Sequence, residues 1–289
     1  MIRSFLSSLA AVSIAALTPP VPAQDAPAKP ATQKPAAAKP AWPKLERLQI
    51  DRIDQLLQNF RLDNPELHEK SVDELVAMGA GAAPILCGRL SDAKTNANGF
   101  IVRVLDRVTA KEHTPLIAKD VAAKVTARRC WAAGRLVELE AENVAEPLRK
   151  CLADKDDEVA YRGAVGLAAR GDVAGMDKVF ARVKADWNGA RAWLEPVLRK
   201  NRTPEVSGWL TTKLLSEEYT DKVAALRLFR SAGVREHAGK VARELDSSDN
   251  VVKKEAINAL RVVVLDEPAL DDLSVFQSIE MAKQIKSKL

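Results

Sequence analysis

The chain has 289 residues, of which 47% are apolar, 29% charged and 4% aromatic. A composition of this kind, rich in alanine and leucine, favours helices and can supply a sizeable core; it excludes a wholly disordered chain, a polytopic membrane protein and a sandwich of β-branched and aromatic residues. The formal net charge of +5 points first to an anionic partner, but without residues 1–43, whose charges are Arg3, three lysines and one aspartate, the remaining 246 residues hold 40 basic against 38 acidic side chains. That balance is too even for the electrostatic footprint of a nucleic-acid domain.

Residues 1–23 place Arg3 ahead of the apolar run Phe5–Leu17 and end Val21-Pro22-Ala23, the layout of a Sec-type signal peptide with small residues where a signal peptidase reads. The run spans about 20 Å as a helix, against about 30 Å of bilayer core, so cleavage after Ala23 is favoured over an uncleaved anchor. No cysteine stands near the cleavage point to carry a lipid. The mature protein is therefore expected to begin at Gln24, periplasmic or secreted, with no stable membrane insertion. Residues 24–43 follow with Lys29-Pro30-Ala31, Lys34-Pro35-Ala36 and Lys39-Pro40-Ala41 at a five-residue period. Proline at that density denies helical hydrogen bonds and extends the chain, which predicts a disordered, solvated linker; the alternative is that its lysines touch an acidic envelope polymer.

A helix is expected over 44–60, and then a repeat. Helical apolar stripes centre on Leu75, Leu105, Leu136, Leu167, Leu198, Leu228 and Leu260, spaced by 30 to 32 residues, which is the signature of a repeat architecture. Three and four residues before each anchor stand mostly small or aliphatic side chains (Val72, Ala133, Ala164, Ala225 and Ile257; Ala132, Gly163, Ala224 and Ala256), and these spacings select one helix face. Gly79, Gly171 and Gly233 fall four or five residues after an anchor, where a left-handed C-terminal cap favours glycine. A second helix then carries apolar pairs at a four-residue step: Leu86 and Leu90, Leu148 and Leu152, Val179 and Val183, Leu210 and Leu214, Val241 and Leu245. Between hairpins, Asp154 to Glu158 and Ser247 to Asn250 offer oxygen atoms to the free amides of the next helix. The fold class expected is all-α, a right-handed α-solenoid of about seven helical hairpins over 44–289.

These residues resemble the HEAT-like, armadillo-type helical repeats of the phycobilisome-lyase kind. The match rests on Asp156-Asp157-Glu158-Val159 leading to Ala164, Gly166, Leu167 and Gly171-Asp172, and on His68 to Gly79 followed by Ala83-Pro84-Ile85-Leu86; as a pattern it covers about 64–285. In the slot after Val159, where such repeats commonly carry arginine, this chain has His68, Asn98, Arg129, Ala160, Arg191, Asp221 and Lys253. The resemblance implies the solenoid, and it implies function only as a class, since such repeats serve scaffolds, inhibitors and a few enzymes.

Chemistry-bearing motifs are sparse. His68, His113 and His237 are too far apart for a local metal motif and no Cys-x-x-Cys accompanies them. Deoxyhypusine hydroxylase, a helical-repeat enzyme, binds iron through several His-Glu pairs, whereas only His68-Glu69 stands here. Asp154, Asp156 and Glu158 begin like a calcium loop, but Val159 and Val165 occupy the positions that need glycine and glutamate. Gly79-Ala80-Gly81 has no preceding strand and no lysine-serine pair, so it reads as a turn. Trp131 and Trp193, each among arginines, read as packing between repeats, with a partner hot spot as the other use. Cys130 and Cys151 flank the midpoint of the third hairpin, in slots that argue against core packing, and a disulfide between them is a candidate in an oxidising compartment.

The function expected is a non-catalytic interaction scaffold for a protein or peptide of the cell envelope, with no cofactor, no metal and no nucleic acid. The alternative is a lyase-like enzyme or carrier for a small molecule or chromophore; DNA binding, as in helical-repeat glycosylases, is a third. The partner surface is placed on the concave side, which second helices line in such repeats, at Lys150, Lys178, Arg182, Trp209, Lys213, Lys240 and Arg243. This set is basic in a nearly balanced domain, so acidic residues are expected to be displaced to the convex side and the turns.

Overall fold

The computed structural model describes residues 40–93, 95–270 and 272–289; the expected signal peptide and most of the expected linker lie outside the described residues. All seven anchor leucines are buried, none exposing more than 1% of its surface. Among the described residues every regular element is helical. A first helix, α1 (Arg47–Asn59), precedes seven pairs: α2 (Pro65–Ala77) with α3 (Ala83–Arg89), α4 (Ala97–Val108) with α5 (Thr114–Asp120), α6 (Thr126–Glu138) with α7 (Ala145–Leu152), α8 (Asp157–Ala168) with α9 (Met176–Ala185), α10 (Trp187–Lys200) with α11 (Pro204–Lys213), α12 (Tyr219–Ala232) with α13 (Ala238–Val241), and α14 (Asn250–Leu260) with α15 (Val275–Lys286). Each anchor sits on the first helix of its pair, and consecutive first helices touch from α2 through α14. None of these helices is long and apolar enough to cross a membrane.

Several helices start where the sequence supplies acceptors. Asp156 accepts from the Glu158 and Val159 amides and Asp249 from those of Val251 and Val252, as the spacing predicts, while Asn64 and Thr203 cap α2 and α11 just ahead of a proline at the first helical position. Helix α6 has no cap of its own. Asp92, from the loop between α3 and α4, accepts from the Thr126 and Ala127 amides at 3.1 and 2.8 Å instead.

Helix ends are satisfied across repeats by arginines. Arg135 donates to the Asp106 carbonyl, Arg170 to Ala141, Arg202 to Ser231 and Arg235 to Val264, in every case 29 residues away. A guanidinium at the C-terminal carbonyls meets both the unpaired acceptors and the negative end of the helix dipole.

Three expectations are corrected. Gly79 and Gly171 take the left-handed φ of a C-terminal cap (69° and 79°), but Gly233 is extended, at φ −70° and ψ 146°; it is needed because a Cβ there would lie 2.4 Å from the ring and the carbonyl oxygen of Phe229. The expected linker reaches Pro43, yet Trp42 stacks on His113 with ring centroids 5.0 Å apart, so the packed body begins at Trp42. The cysteine slots are not outside the core: Cys151 is fully buried, Cys87 is buried and Cys130 half-buried, and all three are free thiols. Burial pushes the Cys151 thiol up to about 12 and raises that of Cys130.

Cys151 is buried because α7 and α8 approach closely. A Cβ at Gly163 would lie 2.7 Å from Cys151 Cβ and from the Leu152 backbone nitrogen, and one at Gly166 would lie 2.6 Å from Val137 Cγ2. Two predictions follow from this contact. Gly163→Ala is expected to lower stability by about 1–3 kcal/mol, because backbone cannot yield, whereas Gly99→Ala, in open space on α4, should raise it by about 0.5–1 kcal/mol; urea titrations compare them, and equal midpoints would refute the close contact. Denatured, unreduced protein should show three free sulfhydryls that label slowly in the native state, since the thiolate is the reactive species; a count of one would establish the Cys130–Cys151 bond.

Candidate functional site

The second-helix surface holds the expected cations, but not their isolation. Lys178 pairs with Asp157 at 3.2 Å, Arg182 with Glu158 at 3.0 Å, Lys213 with Asp177 at 3.1 Å and Lys150 with Glu146 at 3.7 Å. Acidic residues of α8, and those of α7 and α9, therefore share this surface rather than being displaced from it, which removes the charge segregation that singled it out. Lys240 and Arg243 are exposed with no partner among the described residues. Trp209 is half-buried rather than an exposed anchor: its ring meets Phe180 edge-on at 5.7 Å, with the Lys213 ammonium 4.4 Å from its centroid.

The histidines have structural partners. His113 Nδ1 accepts from the Ala110 amide, His237 Nδ1 lies 3.0 Å from Ser207 Oγ, and His68 Nε2 lies 2.7 Å from the Leu62 carbonyl. Glu69 is held by both terminal nitrogens of Arg103, which keeps its carboxyl below the usual range. Among the described residues no group of three histidine, cysteine or acidic side chains is placed to hold a metal.

Buried charge recurs along the stack, at Asp120, Arg129, Arg230 and Arg261. Arg129 is buried against Asp154 at 2.6 Å and also donates to the Ala123 and Lys124 carbonyls. Hydrogen bonding to Arg129 holds the Asp154 carboxyl below its ordinary range. Trp131 is buried and donates to Asp106 at 3.0 Å. Arg129, Asp154 and Trp131 are locked into the stack, and none faces open space.

An apolar cleft lies elsewhere, along α10, of which sequence reasoning singled out only Trp193. Helix α10 reaches past α8 to α6: Trp193 Nε1 donates to Glu138 at 3.1 Å, and Lys200 pairs with Glu140 at 2.9 Å. Between them lies a cleft of about 190 Å³ lined by Val137, Trp193, Pro196 and Val197, with Glu138, Glu140 and Lys200 at its rim. The Trp193 ring is braced from below by Tyr161 and covered by the Arg162 guanidinium, 5.4 Å from its centroid. Glu140 and Asn143, in the turn that closes this end, both take left-handed φ (48° and 60°), an uncommon conformation for residues other than glycine.

A second trough, of about 430 Å³, runs along the opposite side of α10, lined by Arg191, Ala192, Glu195, Pro196, Arg199 and Lys200. Ala192, Pro196 and Lys200 line both troughs and form the ridge between them. Pro196 stands inside the helix and offers no N–H to the Ala192 carbonyl, leaving a backbone acceptor open on that ridge. The signal in the sequence was a break in the repeat, Glu195 where other repeats carry small or aliphatic residues, followed by Pro196 inside the helix.

No family model matches the chain, and no curated protein matches it in sequence. Among solved structures it is similar to human deoxyhypusine hydroxylase, at 15% identity over 83% of this chain and 96% of that one with a TM-score of 0.33. It is also similar to YibA of Escherichia coli, at 16% identity over 89% of this chain and 98% of that one with a TM-score of 0.43. Likenesses this distant carry no argument about activity, substrate or partner.

Proposed function

We propose that the chain is a HEAT-like α-solenoid acting as a non-catalytic interaction scaffold, and that a protein or peptide partner lies across α10. The observation that carries this reading is the pair of troughs on either side of the Ala192-Pro196 ridge. Small ridge residues let a partner backbone come close, and Trp193 beneath supplies an aromatic anchor of the type that dominates interface energies. The second trough is lined by α10 alone and the first by α10 with the end of α6 and the turn after it, an arrangement that favours a segment laid across the helix over a chromophore sunk into an enclosed site. In this reading no residue is catalytic, and the protein works outside the cytoplasm after removal of residues 1–23.

Filling the ridge tests the site. Ala192→Arg should cut retention of partner protein from an envelope extract at least tenfold while the urea midpoint stays put. Pro196→Ala, by restoring the missing helical hydrogen bond, should raise stability by about 1–3 kcal/mol. Unchanged retention by folded Ala192→Arg protein removes α10 from the reading. For localisation, N-terminal sequencing of protein recovered from the soluble extracytoplasmic fraction should begin at Gln24; Met1 on a membrane-bound product would overturn export with cleavage.

A further inference from the structure

We infer that the partner of α10 is an acidic extended segment, gripped by Arg191 and Arg199; this rests on the reading of α10 as the partner site. On a helix, Glu195 is four residues from each of these arginines and is the expected counter-charge for either. It serves neither. Its carboxylate turns inward to Arg230, with Nε at 2.7 Å, and accepts from Ser231 Oγ at 3.5 Å. Arg191 and Arg199 are both exposed, and neither has a partner among the described residues.

The repeat explains why Arg191 is unpaired. It occupies the same slot as Arg129, whose partner Asp154 follows 25 residues later; the corresponding residue for Arg191 is Ser216, whose hydroxyl is engaged with Asp221 at 3.0 Å. Arg199 faces further positive charge, since Arg202 lies close enough that Arg199 helps lower its pKa, after burial. Glu195 is the one carboxylate lining this trough. The result is two unneutralised guanidiniums at the ends of a trough whose only acid is committed elsewhere. Most other surface arginines here are paired; Arg61 and Arg243, with Lys240, are exposed without a partner as well, but on α10 two free guanidiniums line one trough, where an incoming carboxylate gains a partner without displacing one.

Geometry sets the spacing of the ligand. Eight helical residues separate the arginines by about 12 Å, which an extended chain covers in about four residues at roughly 3.3 Å each. The recognised segment therefore carries two carboxylates four residues apart. An apolar side chain between them crosses the low Ala192-Pro196 ridge into the trough floored by Trp193 and Val197.

The test uses the full chain and a fluorescein-labelled peptide, Gly-Glu-Ala-Leu-Ala-Glu-Gly, with its Glu-to-Lys counterpart as control, read by anisotropy. The acidic peptide should bind at least tenfold tighter than the control, and this preference should fade between about 50 and 300 mM salt as screening increases. In the Arg191→Glu/Arg199→Glu double variant the preference should vanish. Both arginines are exposed, so the urea midpoint serves as the folding control. Absence of acidic-peptide binding at millimolar concentration, or a preference that survives in the double variant, overturns the proposal. Extract partner retained by the double variant but lost by Ala192→Arg also overturns it, and leaves the interaction-scaffold reading standing.

Discussion

The contact on which the rest of the stack depends is the approach of α8 to α7 across Gly163 and Gly166. With no side chain at either position, α8 seats directly on Leu148, Cys151 and the Leu152 backbone, and it is buried along most of its length, from Val159 to Ala169 apart from Arg162. A first helix seated that deeply leaves its neighbours to meet above it. Helix α10 does so by reaching α6 through Trp193 to Glu138 and Lys200 to Glu140, and the half-buried Trp193, Val197 and Leu152 join the two halves of the apolar core. The apolar cleft is the space left under that bridge. Its floor residue Val137 is the same side chain that packs against Gly166, so the packing of the fourth repeat shapes the surface of the fifth.

Charge is distributed by a local rule. Second-helix lysines and arginines find acids on adjacent helices, as in Lys178 with Asp157 and Lys213 with Asp177, and the outer edge repeats the device in Arg103 with Glu69 and Arg107 with Asp73. Such exposed, solvent-screened pairs contribute little to stability. Their larger effect is on the field: paired side chains leave little net potential, so a surface crowded with lysine need not steer anything. The buried Arg129–Asp154 pair differs, because removing one member strands a charge away from water and because the same guanidinium also occupies two carbonyls. It fixes how the third repeat meets the fourth.

The repeat itself was legible. Seven buried leucines in register, the small residues ahead of them and the capping aspartates all follow from period and residue type, because those signals lie within one helix or between a helix and its own turn. What escaped lies between repeats. Nothing local marks Asp92 as the cap of α6, or arginines 29 residues from a carbonyl as its partner. The basic look of the second-helix set failed for the same reason: a list of positions on one helix row omits the acids that neighbouring elements bring to it. The slot of Cys151 misleads because its counterparts in other repeats, Arg182, Lys213 and Glu244, are charged, while Gly163 opposite it makes room in this one.

The irregular fifth repeat is where period-based reasoning was least informative. An interior proline, a glutamate at a position given elsewhere to small or aliphatic residues and an arginine without the acid that its counterpart Arg129 has are three local irregularities, and they fall within nine residues of one helix, Arg191 to Arg199. A proline inside a helix costs about 3 kcal/mol relative to alanine, and two unpaired arginines do nothing to recover it. Natural sequences violate local consistency mainly at sites that serve something other than the fold. The same three residues produce an open carbonyl, an inward-turned carboxylate and a free guanidinium on one ridge. Stability lost in α10 is thus concentrated where a partner segment has apolar floor, backbone acceptor and positive charge within reach of one another.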